Sequence, residues 1–285
     1  MREGTMKIAV VAPGSRMDPA LAEKVKALAA AQYGARAEIH FHPQCFLTSG
    51  HFAGDDQARA KAFVECANDE SFAALWFARG GYGACRILAE ALPKLAATAK
   101  KKTYLGYSDA GALLGGLYKA GFAKVAHGPM PTDLARGNGE SAIKRALAFL
   151  IDGAKDSLEP NVSAKVPSAA FNVTILGTLI GTPFQPDLAG HVLMLEEVSE
   201  HMYRIDRALF HLTSNPEMRK VAGIRLGRCS DIPPNDPPFG QNEEQVIRHW
   251  CQVSGIPYLG RADIGHDAEN KIVPFGRSWL DAKIS

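Results

Sequence analysis

The chain has 285 residues, enough for one large or two modest domains with a buried core, and 46% of them are hydrophobic against 22% charged. A formal net charge of +2, with the basic residues scattered, excludes the footprint of a nucleic-acid binder or a polybasic membrane anchor. Cys45, Cys66, Cys85, Cys229 and Cys251 are widely spaced with no C-x-x-C pair, which favours free thiols in a reducing, cytoplasmic compartment over disulfides or a zinc site.

Residues 7–12 (KIAVVA) form a continuous apolar run closed by Pro13-Gly14, the pattern of a strand buried on both faces. The run is too short for a signal-peptide core or a membrane span. Asp18 suits the cap of the helix that follows, where Leu21, Val25 and Leu28 recur at helical spacing. Further strands are expected at 36–41, at 72–78 before Arg79-Gly80-Gly81-Tyr82-Gly83, at 104–107 running into Ser108, and at 124–126 before His127. Helical stretches separate most of them. This rhythm predicts an α/β fold, with an N-terminal doubly wound, mostly parallel sheet that binds ligands beyond the carboxyl ends of its strands.

Gly106-Tyr107-Ser108-Asp109-Ala110 lies at such an end, between an apolar run and the helical pattern holding Leu113-Leu114. A serine there can sit on a sharp turn that exposes its hydroxyl, with the Asp109 amide aimed into the same space as an oxyanion donor. Ala110 stands where the usual G-x-S-x-G pattern has its second glycine, and Ser-Asp at a helix start is equally the pattern of a cap. Both readings of the pentapeptide stay open.

Between 152 and 169 the rhythm breaks at Gly153, Pro160, Ser163 and Pro167, which suggests a linker over 153–169. It would join a nucleophile-bearing domain over 1–152 to a smaller α/β domain over 170–285. That second unit is expected to hold strands at 191–195, 223–226, 256–259 and 272–275, with helices at 203–212 and 243–253.

Several motifs in this order resemble the LD-carboxypeptidase family of serine peptidases, which includes muramoyltetrapeptide carboxypeptidases and microcin-C immunity peptidases. They are the opening Ile8-Ala-Val-Val-Ala-Pro13, Arg79-Gly-Gly-Tyr-Gly83, Gly106-Tyr-Ser-Asp109, His127-Gly-Pro-Met130 and Gly181-Thr-Pro183. After them come Leu195-Glu-Glu-Val-Ser-Glu200, Tyr203-Arg-Ile-Asp-Arg207, Gly265-His266 and Pro274-Phe-Gly276. The resemblance implies a Ser-Glu-His triad of Ser108, Glu196 and His266, with no cofactor or metal. It also implies a murein tetrapeptide substrate that loses a terminal D-alanine, and a homodimer. A serine hydroxyl needs an imidazole to take its proton, and the imidazole needs a carboxylate to fix its tautomer, so these three residue types suit acyl transfer.

Alternation along a strand sends Glu196 and Glu197 to opposite faces and leaves both open; the family motif selects Glu196. His127 rivals His266 but is read as a packing or substrate-positioning residue. His40 and His42 form an H-x-H pair without a third ligand in reach, and are read as strand-edge residues. The Arg79–Gly83 glycines lack the spacing of a nucleotide loop and read as a turn, with Gly81 offering a second oxyanion amide. Arg79, Arg204 and Arg207 are candidates for the substrate carboxylate, although the last two can equally pair with Asp206 or Glu200.

One departure is that Ala170-Phe171-Asn172-Val173 stands where the family has Gly-Gly-Asn-Leu, so a changed loop is expected there. The chain is also short for the family, which suggests trimmed loops around the cleft. Two alternatives remain: a peptidase that detoxifies a peptide–nucleotide antibiotic, for which Trp76 is the aromatic candidate in the first half, and a catalytically silent binding module.

Overall fold

The computed structural model describes residues 5–277. The apolar run MKIAVV is β1 (Met6–Val11), and Ile8 to Val11 are almost wholly shielded from solvent. The Asp18 carboxylate accepts from the Ala20 amide and caps α1 (Pro19–Tyr33), as its place in the sequence predicts. There follow β2 (Ala37–Phe41), α2 (Asp56–Asn68), β3 (Ala74–Phe77), α3 (Ala84–Ala91), β4 (Thr103–Gly106), α4 (Gly111–Lys119), β5 (Val125–His127) and α5 (Gly139–Leu147). The later elements are β6 (Ser168–Asn172), α6 (Val173–Leu179), β7 (Val192–Val198), α7 (Met202–Ser214), β8 (Gly223–Ser230), α8 (Glu243–Ser254), β9 (Tyr258–Arg261) and β10 (Val273–Pro274).

The first sheet has six strands in the order β10-β5-β4-β3-β1-β2. Its pairs are parallel except β10 with β5. The chain winds outward from β1 to β2 and then returns to β3 on the other side. That reversal opens a crevice at the carboxyl ends of β1 and β3, where doubly wound sheets bind ligands. The second sheet runs β6-β7-β8-β9, parallel throughout. Its crossover helices share one face, with α6 against α7 and α7 against α8.

Two elements differ from the sequence pattern. The segment expected as an altered loop, Ala170-Phe171-Asn172, is the end of β6, and none of its residues has a positive φ. An ordinary extended backbone accepts any residue, so no glycine is needed there. The strand expected in the second unit at 272–275 is Val273–Pro274, and it closes the edge of the first sheet against β5. The connection after α5 is anchored: the buried Glu159 carboxylate accepts from the Asn161 and Asp263 amides, and Leu158 bridges Ile272.

One continuous core joins the two sheets, bringing Leu113 and Leu117 of α4 together with Phe171, Leu176 and Leu195. Gly111 and Gly115, one turn apart on α4, let α6 approach closely; a β-carbon on Gly115 would stand 2.6 Å from Leu179 Cδ1. This contact fixes the end of β4 relative to the end of β7, and those two strand ends carry the site.

Candidate active site

Ser108 follows β4 after one extended residue, Tyr107, and opens a short 3₁₀ turn (Ser108–Ala110) that leads into α4. Its φ is +58°, a left-handed conformation that few residues other than glycine adopt. Strain of this kind persists only where the surroundings enforce it, and here it turns the side chain out of the strand line. Ser108 Oγ lies 2.9 Å from His266 Nε2, and His266 Nδ1 lies 2.5 Å from Glu196 Oε2. Glu196 is on β7 and fully buried; His266 sits in the loop after β9. A carboxylate can only accept, so the shared proton belongs on Nδ1 and the Nε2 lone pair faces the serine hydroxyl.

The electrostatics favour that arrangement. Burial pulls the His266 pKa down, but the Glu196 charge and its hydrogen bond outweigh it, and the imidazole ends above the ordinary histidine value. The Tyr107 ring packs 4.8 Å from the His266 ring, and its hydroxyl donates to Asp133 at 2.7 Å. On the other side, Asn270 Oδ1 accepts from the Gly265 amide and meets His127 Nε2, both at 3.2 Å. His127 is fully buried, and burial lowers its pKa to about 4, so it is a neutral packing residue outside the hydrogen-bonded trio.

Glu197 points to the opposite face, as strand alternation requires, yet it is buried rather than solvated. Its carboxylate accepts from Asn172 Nδ2, the Val198 amide, and both the amide and hydroxyl of Thr174. Asn172 in turn caps α6 through the Ile175 amide. The asparagine left in place of the Gly-Gly-Asn-Leu segment thus holds a strand-to-helix turn together.

Asp109 follows Ser108, and its amide heads the turn into α4. Its side chain is buried and accepts from the Ala84 amide at the start of α3; burial raises its pKa to about 6. That contact ties the Ser108 turn to the Arg79–Gly83 loop. Within the loop Gly80 makes the closest approach, since a β-carbon there would stand 2.7 Å from Ser108 Oγ. Gly81, expected from sequence, is the next residue, with φ +93°. Arg79 Nη1 donates to the Arg16 carbonyl across the crevice.

Arg204 and Arg207 lie exposed on α7 beside the Tyr203 ring, and Arg204 pairs with Glu200 at 3.6 Å. Asp206 instead accepts from Trp250 Nε1. Trp76 is fully buried and donates to the Pro129 carbonyl, so it offers no aromatic platform to a ligand. His40 lies exposed on the edge strand β2, and His42 approaches Glu65 at 3.5 Å. Among the described residues no cluster of three His, Cys, Asp or Glu could hold a metal, and no helix is long and apolar enough to cross a membrane.

Two family models cover most of the chain: the LD-carboxypeptidase N-terminal domain matches residues 8–128 and the C-terminal domain matches residues 169–279. A putative carboxypeptidase of Synechocystis sp. is 31% identical over 233 residues, covering 80% of this chain and 75% of the relative. The chain belongs to the LD-carboxypeptidase family. The murein tetrapeptide carboxypeptidase of Pseudomonas aeruginosa is 25% identical over 251 residues, covering 80% of this chain and 78% of that one. Among solved structures, muramoyltetrapeptide carboxypeptidase from Oxalobacter formigenes superposes with a TM-score of 0.79 at 24% identity, over 95% of this chain and 93% of that one. The microcin C7 self-immunity protein MccF, bound to glutamyl sulfamoyl guanosine, gives 0.78 at 17% identity, over 97% and 92% of the two chains. At these identities the structural matches establish the shared fold.

Tyr107, Asp133, Asn270, Ser15 and His51 stand around the site without having been marked by sequence. Tyr107 was within reach, since it lies inside the Gly106–Ala110 segment itself. The others belong to segments whose patterns carry no signal until the fold brings them together.

Proposed function

We propose that this protein is a serine LD-carboxypeptidase acting on murein tetrapeptide in the cytoplasm, where it removes the terminal D-alanine from the L-configured centre of a diamino acid during peptidoglycan recycling. The observation that carries the reading is the continuous hydrogen-bonded path from Ser108 Oγ through His266 to Glu196 at the junction of the two sheets. The P. aeruginosa relative supports the substrate class, and five free cysteines suit a reducing compartment.

In this mechanism Ser108 Oγ bonds to the scissile carbonyl carbon while its proton passes to His266 Nε2. The carbonyl oxygen becomes an oxyanion between the amides of Asp109 and Gly81. His266 then delivers the proton to the D-alanine nitrogen as the C–N bond breaks. Water repeats the sequence on the acyl-enzyme, with His266 again as base. Glu196 holds the Nδ1–H tautomer and stabilises the imidazolium. A silent binding module would gain nothing from a serine held in a left-handed conformation against a histidine–carboxylate pair.

Mass spectrometry of products from a panel of L,D- and L,L-linked tetrapeptides tests the specificity. Release of D-alanine from the L,D-linked members alone is expected; equal cleavage of L,L-linked peptides would overturn it. Each step is assigned to a protein group, so turnover is expected to persist in excess EDTA, and its loss would reveal a metal requirement.

A carboxypeptidase also anchors a free carboxylate. We assign that role to Arg79, whose loop touches Ser108, over Arg204 and Arg207 on the exposed face of α7. Amidating the substrate's terminus should raise the barrier by roughly 1.5–3 kcal/mol, the value of a hydrogen bond to a charged group. Arg79→Met should impose a similar penalty on the free acid and little on the amide. Cleavage of amide and acid at equal rates by the parent enzyme would make it an endopeptidase or amidase instead.

A further inference from the structure

His51 lies in none of the family motifs, yet it reaches into the crevice where β1 and β3 diverge. It sits in a tight turn whose ends, Ser49 and Phe52, are bridged by backbone hydrogen bonds. His51 Nε2 accepts from the Tyr82 amide at 3.2 Å and lies 3.0 Å from Ser15 Oγ. A backbone amide can only donate, so Nε2 carries the lone pair and the ring proton is on Nδ1. The Ser15 hydroxyl, the other donor to this nitrogen, shares that single lone pair with the Tyr82 amide. The rings of Phe52 and Tyr82 flank the imidazole at 5.3 and 6.4 Å between centroids.

These contacts bracket Gly81. On one side Gly80 abuts Ser108 Oγ. On the other the Tyr82 amide is tied to His51. Beneath lies Ser15, with which a β-carbon on Gly81 would collide. A glycine at φ +93° has many alternative conformations open to it, so the direction of its amide depends on what holds its neighbours. The bond from the Tyr82 amide to His51 holds the residue that follows it.

We propose that His51 is a positioning residue for the oxyanion loop: it pins Tyr82 and Ser15 so that the Gly81 amide points at the carbonyl oxygen attacked by Ser108. This inference rests on the Gly81 amide being an oxyanion donor. It explains why an exposed histidine outside the hydrogen-bonded trio is built into the crevice with its acceptor nitrogen turned inward. Its effect belongs to the transition state, because the ground-state carbonyl needs the amide less than the oxyanion does.

The test compares His51→Ala and His51→Gln with the parent in three measurements. These are kcat and KM on the tetrapeptide, tetrapeptide binding in a Ser108→Ala background, and inhibition by a tripeptide boronic acid whose boron replaces the scissile carbonyl carbon. His51→Ala is expected to lower kcat roughly 10- to 100-fold and leave KM and ground-state binding within about twofold. Boronate affinity should fall by the same factor as kcat/KM. His51→Gln offers an amide oxygen to the Tyr82 N–H and should recover most of the loss. Parent-like kcat in His51→Ala, a loss confined to KM, or a glutamine variant no better than alanine would each overturn the proposal. Turnover that survived Ser108→Ala would instead overturn the serine mechanism on which it rests, so the two failures are told apart.

Discussion

Replacing Ser108 with alanine is expected to lower kcat by about 10⁶-fold, the loss typical of removing a nucleophile that works with its base as a unit. Tetrapeptide affinity and thermal midpoint should stay close to the parent's. The reasoning for an intact fold is local. Ser108 is only half-buried, and among the described residues the side chain's hydrogen-bond partner is His266 Nε2. The left-handed backbone at φ +58° is as unfavourable for alanine as for serine, so the exchange adds little strain. Steady-state rates by product mass spectrometry and calorimetric binding of uncleaved tetrapeptide check both halves. His266→Ala should cost a comparable factor, and the double variant should be little slower than either single one, because neither group acts without the other. Parent-like turnover in Ser108→Ala would end the serine mechanism. So would multiplicative losses in the double variant.

How far the sequence reveals this site depends on the range of the physics at each position. The turn at Ser108 is legible because it is local: an apolar strand, small residues and a helical pattern meet within ten residues. Ala110 stands in for the usual second glycine because that position is buried inside the 3₁₀ turn at an ordinary helical φ. The pairing of Ser108 with His266 spans 158 positions, and that of Glu196 with His266 spans 70, so no local pattern reports either. The family resemblance did. Strand β6 escaped because a parallel strand buried on both faces shows no alternation, and Ser168-Ala-Ala-Phe-Asn172 reads as neither strand nor helix. The second role of Asn172, supporting Glu197, exists only because β6 lies beside β7 in a register that places Asn172 opposite Glu196. Burial of Glu197 follows from the same pairing. His51 is invisible for another reason: its partners, Ser15 and Tyr82, come from two different strand ends that only the winding of the sheet brings together.

The adjacent glutamates should separate chemistry from stability. Glu196→Gln is expected to lower the plateau kcat by about 10³–10⁴-fold, since an amide neither holds the Nδ1–H tautomer nor balances the imidazolium. It should also move the pH profile. His266 must be neutral to take the serine proton, so kcat/KM falls as pH drops through its pKa, which Glu196 holds above the ordinary histidine value. With that charge gone, burial remains and acts downward, and the acid limb of the variant should shift to lower pH. Glu197→Gln should behave in the opposite way. Its carboxylate takes four donors from Asn172, Thr174 and Val198. An amide in its place sets an N–H against one of them, at a cost of about 1–3 kcal/mol. That corresponds to a melting temperature lower by roughly several degrees in a chain of this size. Its kcat should stay within about an order of magnitude of the parent, because His266 hydrogen-bonds to Glu196 and Ser108 and to none of these donors. Equal loss of kcat in the two variants, or an acid limb that did not move in Glu196→Gln, would show that the carboxylate acting on His266 had been assigned wrongly.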